Sequence, residues 1–230
     1  MELAFRAAQT PDLPLVIMFH GATRHIVGHQ GWFSHFGHLC DVALGELPGH
    51  GQAPRLNETS LPAFIAAFDE AIAAAFPGRT ILAVGESVGG LVAMGLTTAQ
   101  RVVALDPPME VAKLWPLADT ARTDPADAQD FWFGVFGLGP RPEPRVYWDL
   151  VERQTAPILI LAGDRPLGVR RALPMPPSLL DAADRARLGG YGHVIVQVVA
   201  NAGHGLLDEA LGVCLNAVRQ ELARLGPPDG

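Results

Sequence analysis

The strongest chemical signal in the chain is Gly85-Glu86-Ser87-Val88-Gly89. A serine in a G-x-S-x-G pentapeptide is a nucleophile candidate when a strand precedes it and a helix follows. The apolar run TILAV (80–84) comes before the motif and LVAMGLTTA (91–99) comes after it. A sharp strand-to-helix turn would hold the Ser87 hydroxyl exposed above a sheet. The flanking glycines remove side chains that would meet neighbouring backbone, and Gly90 adds room for close helix packing. The helix start behind the serine supplies partial positive charge where an oxyanion would form. The plainer alternative is a turn in which Ser87 only caps the helix. A serine hydroxyl alone is a poor nucleophile and needs a base.

Other chemistries have less support. Six of the eight histidines lie at 20, 25, 29, 35, 38 and 50. His25 and His29 are four residues apart, but no cysteine or carboxylate completes a recognised metal spacing, so no metal is expected. The sequence lacks G-x-x-x-x-G-K-[ST], and no G-x-G-x-x-G follows the first strand run. Neither a phosphate loop nor a dinucleotide site is expected, and no dissociable cofactor is needed. Arg165, Arg170 and Arg171 read as a solvated loop, with contact to an anionic substrate as the alternative.

The elements that must position Ser87 are legible as a rhythm. Apolar runs at 15–19, 41–44, 80–84, 102–105, 158–162 and 193–199 alternate with helical patterns. Runs that are apolar throughout suit strands with both faces covered, as in a parallel sheet between helix layers. Leu61, Phe64, Ile65, Phe68, Ile72 and Phe76 share one helical face, with Thr59 or Ser60 as cap. Leu207, Leu211, Leu215, Val218 and Leu222 do the same within 206–225. The order reads as an open α/β sheet with right-handed crossovers. Residues 107–156 break the rhythm with many prolines and the aromatic cluster FWFGVF (131–136), beside Trp115, Tyr147 and Trp148. They read as a small helical lid inserted into a core formed by 1–106 and 157–230. A long ordinary connection with buried aromatics is the alternative. The tail GPPDG (226–230) reads as frayed.

The chain has 230 residues, 49% of them apolar and 18% charged, which fits one domain with a sizeable core. Seventeen Lys+Arg against 24 Asp+Glu give a formal net charge of −7. That balance argues against nucleic-acid or anionic-membrane partners. The start MELAFRAAQTPDLP lacks the basic flank and apolar stretch of a secretory signal, and no run is long enough for a membrane span. Two cysteines, Cys40 and Cys214, make no disulfide scaffold. A soluble cytoplasmic protein acting on a small molecule, monomeric or a homodimer, is expected.

In this order the motifs resemble those of the α/β-hydrolase superfamily. His20-Gly21 ends the first strand run, Leu47-Pro48-Gly49-His50-Gly51 follows the second, and Gly85 to Gly89 forms the nucleophile elbow. Gly203-His204-Gly205 lies after the last strand run. The resemblance spans nearly the whole chain outside 107–156, where this family inserts its lid, and is strongest to small lid-bearing esterases. The N-terminus leaves little room for the family's first strand. The resemblance implies Ser87 as nucleophile and His204 as its base. It implies the backbone N–H groups of Val88 and Ala22 as oxyanion donors, with His20 structural. For the acid it favours Asp164, in Gly163-Asp164-Arg165-Pro166. The usual G-x-x-D spacing is not kept there. Asp106, at the end of another strand run, is the second choice, with Asp181, Asp184 or no acid behind it. Glu86 is expected either at the helix start, favoured by the dipole, or in contact with substrate or lid. Trp132, Phe133 and Phe136 are expected to line an apolar substrate site. The reaction implied is hydrolysis of a small carboxylic ester through an acyl-enzyme. Carbon–carbon hydrolysis, thioester hydrolysis, elimination and noncatalytic sensing of a small molecule share the same constellation.

Overall fold

The computed structural model describes residues 4–5, 10, 13–117, 126–139, 141–166 and 176–225. The strands are β1 (Ala4–Phe5), β2 (Leu15–Phe19), β3 (Asp41–Gly45), β4 (Ile81–Glu86), β5 (Arg101–Leu105), β6 (Ile158–Gly163) and β7 (Val194–Val199). The α-helices are α1 (Gly31–Phe36), α2 (Leu61–Ala75), α3 (Val88–Gly95), α4 (Ala126–Phe136), α5 (Trp148–Arg153), α6 (Ala182–Gly189), α7 (Leu206–Glu209) and α8 (Leu211–Ala223). Short 3-10 turns cover Ile26–His29 and Val111–Leu117.

The strands form one sheet in the order β1-β3-β2-β4-β5-β6-β7. All neighbours run parallel except β1, which pairs antiparallel with β3 through Ala4 opposite Leu44 and Phe5 opposite Ala43. A strand therefore forms where the sequence left little room for one. It is only two residues long, too short to show as a hydrophobic run.

Both faces of the sheet are covered, which is why the strand runs are apolar without alternation. Ile17, Phe19, Ala83 and Ala104 pack under α2, α3 and the aromatic residues of α4. Val16, Met18, Val84 and Val103 face the other way, against Trp32 and Phe36 of α1 and Cys214, Leu215 and Val218 of α8. Each such Leu, Ile, Val or Phe contributes about 1.5–3 kcal/mol by leaving water. Strand β7 is the exception: it forms the sheet edge and leaves Ile195 and Val198 half exposed.

Helix α2 begins at Ser60, whose Oγ accepts from the Ala63 N–H at 3.2 Å, and buries Leu61, Phe64, Phe68 and Ile72. The expected single helix over 206–225 is two helices. Ala210, at φ −147° and ψ 39°, breaks it. The break lets Leu206 bury completely while Leu211 stays 42% exposed, so Leu211 drops off the apolar face. The segment 107–156 carries the Val111–Leu117 turn, α4 and α5, tied by a bridge between Glu110 and Val146. Phe131, Trp132, Val135, Phe136, Tyr147, Trp148 and Val151 all join the core under α2 and α3. Among the described residues, no helix is long and apolar enough to cross a membrane. The tail 226–230, Arg170 and Arg171 lie outside the described residues, as does the Trp115 side chain.

Candidate active site

Ser87 sits between β4 and α3 with φ 54° and ψ −119°, a conformation that a non-glycine residue adopts only under constraint. The turn is tight because its glycines touch backbone. A Cβ on Gly85 would overlap the Gly89 carbonyl, and one on Gly89 would overlap the carbonyls of Phe19 and His20. The Ser87 N–H continues the ladder to Leu105 O at 2.9 Å.

His204 approaches from the loop after β7. Its Nε2 lies 3.0 Å from Ser87 Oγ, and its Nδ1 lies 2.7 Å from Asp106 Oδ2. An ionised carboxylate only accepts, so Nδ1 carries the proton, and Nε2 is left to accept from the Ser87 hydroxyl. Ser87 is 6% and His204 8% exposed, so both are largely screened from bulk water. A bare Gly163 permits the approach, since a Cβ there would overlap the carbonyls of Ala202 and Gly203.

The carboxylate on His204 is Asp106, not the favoured Asp164. Asp106 follows β5 with φ 46°, wholly buried, and this left-handed turn aims its side chain at the imidazole. Its Oδ1 accepts from Ser178 Oγ at 2.5 Å and its Oδ2 from the Leu179 N–H at 2.8 Å. Asp164 instead continues the β6–β7 ladder, with its N–H on Val199 O at 3.0 Å. Its side chain is 38% exposed, and Arg165 Nε stands 4.0 Å from its Oδ1. Asp181 caps α6, and with Asp184 it holds Lys113 Nζ, at 2.9 Å and 2.5 Å. Arg165 reaches Asn201 Oδ1 at 3.0 Å.

The turn after β2 packs on the nucleophile: a Cβ on Gly21 would stand 3.6 Å from the Ser87 Cβ. Among the described residues no acceptor takes the N–H of Ala22 or of Val88. His20 ties this turn to the segment after β3, with Nδ1 2.8 Å from Gly21 O and Nε2 3.0 Å from the Leu47 N–H. His50 Nε2 donates to Ala22 O at 2.9 Å. Burial and the neighbouring His20 push His50 below its ordinary value, so it is held neutral. Burial pushes Glu46 up, but His20, the Ile26 N–H and His25 outweigh it and hold the carboxyl low.

Glu86 does not meet the aromatic insertion. It shares strand parity with Leu82 and Val84, which point to the α1/α8 face. It is buried there, 2.9 Å from Arg24 Nε, and Arg24 also pairs with Asp208 of α7. Burial opposes the Arg24 charge, but Glu86 and Asp208 outweigh it and raise the guanidinium's basicity. This strap joins three loops: the turn after β2, the elbow, and the segment after His204. Sequence reading missed Arg24 and Ser178. Neither lies in a motif, and neither has a local spacing that could announce it.

A cavity of about 320 Å³ lies beside Ala22, between His50, Arg55, Phe64, Phe131 and Trp132. Of the three aromatic residues expected to line a substrate site, only Trp132 lines this cavity. Phe133 is 53% exposed, and Phe136 is buried against Phe131 and Trp132. The helical period of α4 separates them, since only part of its circumference can face one cleft. A larger hollow, about 740 Å³, lies at the far end of α3, by Met94, Leu96 and Tyr147. Ser87 and His204 are in the wall of neither, and only the smaller one meets the site, through Ala22. Among the described residues no group of three or more His, Cys, Asp or Glu could hold a metal.

A strained serine, an imidazole relay, a buried carboxylate and a parallel sheet under helices define a class of protein. The chain belongs to the alpha/beta hydrolase family, whose model matches residues 16–215. None of the curated proteins matches its sequence. Among solved structures it is similar to MGS-M2, an alpha/beta hydrolase enzyme from a Medee basin deep-sea metagenome library. That match has TM-score 0.76 and 10% identity, covering 96% of this chain and 94% of the other. It is also similar to the Paleococcus ferrophilus monoacylglycerol lipase (TM-score 0.64, 18% identity, coverage 98% and 100%). A third likeness is to a thermophilic esterase from Thermogutta terrifontis (TM-score 0.64, 15% identity, coverage 97% and 93%). At such identities the likeness is one of fold.

Proposed function

We propose that the protein is a serine hydrolase that cleaves a small carboxylic ester or a related acyl compound. The observation that carries this reading is the relay Ser87 Oγ–His204 Nε2–His204 Nδ1–Asp106 Oδ2, at 3.0 and 2.7 Å. Ser87 Oγ attacks the carbonyl carbon while its proton passes to His204 Nε2. The carbonyl electron pair moves onto oxygen, where the Ala22 and Val88 N–H groups receive it. Each such donor is worth about 3–4 kcal/mol in comparable sites. Asp106 stabilises the imidazolium and holds its orientation. The tetrahedral intermediate then expels the alcohol, which takes the proton from Nε2. Water, deprotonated by the same nitrogen, attacks the acyl carbon. The second tetrahedral intermediate expels Ser87 Oγ, which takes the proton back from Nε2, and the acid is released. No cofactor enters any step.

The cavity beside Ala22 is at the small end for ligand sites, which run from roughly 300 to 1,000 Å³, and Phe131 and Trp132 give it an apolar wall. That favours a short substrate with one apolar portion. Helix α4 of the inserted segment serves as the lid over it, through Asp130, Phe131 and Trp132. The esterase and lipase among the similar folds agree with this chemistry. The test is hydrolysis of p-nitrophenyl acetate and butyrate, with labelling by a fluorophosphonate. Wild type turns over and is labelled at Ser87, while Ser87→Ala loses about a millionfold in kcat and all labelling. Equal rates in the two proteins would refute the reading.

A further inference from the structure

Asp106 and His204 come from different strand ends, yet a third segment grips both. Pro176 O accepts from the His204 N–H at 2.9 Å. Two residues on, Ser178 Oγ lies 2.5 Å from Asp106 Oδ1, and the Leu179 N–H lies 2.8 Å from Oδ2. Ser178 is itself fully buried and fixed, with its N–H on Arg165 O at 2.7 Å and its Oγ accepting from the Leu180 N–H at 3.3 Å. Its single hydroxyl proton has two possible acceptors, Asp106 Oδ1 at 2.5 Å and Leu180 O at 3.4 Å. The shorter contact, to a charged oxygen, takes it.

We infer that Ser178 is a positioning residue for the Asp106–His204 pair, a role that rests on the hydrolase reading. Both the Leu179 N–H and His204 Nδ1 act on the same oxygen, Oδ2. Those two bonds restrain the carboxylate through Oδ2 alone and leave Oδ1 to Ser178. The Ser178 bond to Oδ1 holds the other end of the carboxylate and stiffens its plane, so Oδ2 stays in line with Nδ1. Pro176 O sets the imidazole's backbone from the same strip of chain. Without the hydroxyl, Oδ1 is a buried charged oxygen with no donor, and the carboxylate turns to find one.

The test is a double-mutant cycle with Ser178→Ala and Asp106→Asn, read as kcat and KM on p-nitrophenyl acetate and as the fluorophosphonate labelling rate. Ser178→Ala lowers kcat and labelling by about 10–100-fold with KM unchanged. On the Asp106→Asn background the same substitution has almost no further effect, because the group it acts through has gone. Ser178→Cys, which keeps the volume with a weaker donor, falls between wild type and alanine and serves in the cycle should the alanine variant not fold. An undiminished kcat, or an equal loss on both backgrounds, overturns the proposal. A readout independent of turnover is the far-downfield proton resonance of His204 Nδ1–H. It shifts or broadens in Ser178→Ala, and an unaltered resonance also overturns the proposal. A wild type that neither hydrolyses nor labels would sink the hydrolase reading alone, and the resonance would still decide whether Ser178 sets the pair.

Discussion

Asp106 leaves β5 in the left-handed region at φ 46°, and that one torsion turns a strand-end carboxylate onto His204. Such a conformation costs about 1–3 kcal/mol and persists only where neighbours over-determine it. Here Ser178, Leu179 and His204 do so. Asp164 has the more usual place in the chain but an exposed flank and no bond to the imidazole. Asp106→Asn is therefore expected to lower kcat by about 10⁴-fold, since the amide favours the wrong imidazole tautomer, whereas Asp164→Asn leaves it unchanged. Steady-state kinetics of the two variants decide the matter, and a loss confined to Asp164→Asn would reverse the assignment. Ser87 was legible in the sequence because the glycines around it mark backbone that must come close, and His204 because its Gly-His-Gly follows the last strand run. The acid was not legible. A carboxylate at a strand end is common, and its aim depends on a torsion and on partners more than 70 residues away.

Elements were legible wherever hydrophobic pattern alone dictated them. The strands β2 to β6 read as unbroken apolar runs because both faces are buried, and α2 read as a stripe because one face is. The pattern misled where the backbone breaks inside a stripe, as at Ala210, or where two residues suffice for a strand, as in β1. The junction of β4 and α3 depends on closeness rather than on pattern. A Cβ at Gly89 would overlap the carbonyls of Phe19 and His20, which are fixed backbone atoms of β2 and the turn after it. Gly89→Ala must push α3 away from β2, an overpacking cost of about 3 kcal/mol. For a chain of this size that is a fall in Tm of roughly 6–12 °C. Activity falls further than stability, because the same shift moves the Val88 N–H and Ser87. Calorimetry beside kinetics checks this, and an unchanged Tm would mean that the helix has slack the contacts do not show.

Across the whole molecule, the shifted ionisable groups set how stability depends on pH. His50 is held below its ordinary value of 6.5 by burial and by His20, with Glu46 and the carbonyls of Ala22 and Pro48 opposing only in part. The unfolded chain therefore binds more protons than the folded one just below pH 6.5. The stability His50 contributes is complete above 6.5 and is lost as pH falls through its lower folded value. Glu46 and Asp181 are also depressed, despite burial that pushes each upward, so their contributions are lost at still lower pH, below about 4.5 and 3.8. Asp184 has the opposite sign: burial raises it, and its contribution is lost as pH rises through the folded value. Lys113, raised by Asp184 and Asp181 against the opposing effect of burial, keeps its contribution until pH climbs past 10.5. Tm is thus expected to stay level from pH 8 to about 6.5 and then fall, first through His50, which packs edge-on to Phe131 at 4.7 Å. His50→Gln keeps a donor for Ala22 O but cannot take up a proton, so its Tm holds level further into acid before Glu46 and Asp181 give way. Thermal melts of the two proteins between pH 8 and 5 make the comparison. Parallel curves over that range would show that the acid limb begins at some group other than His50.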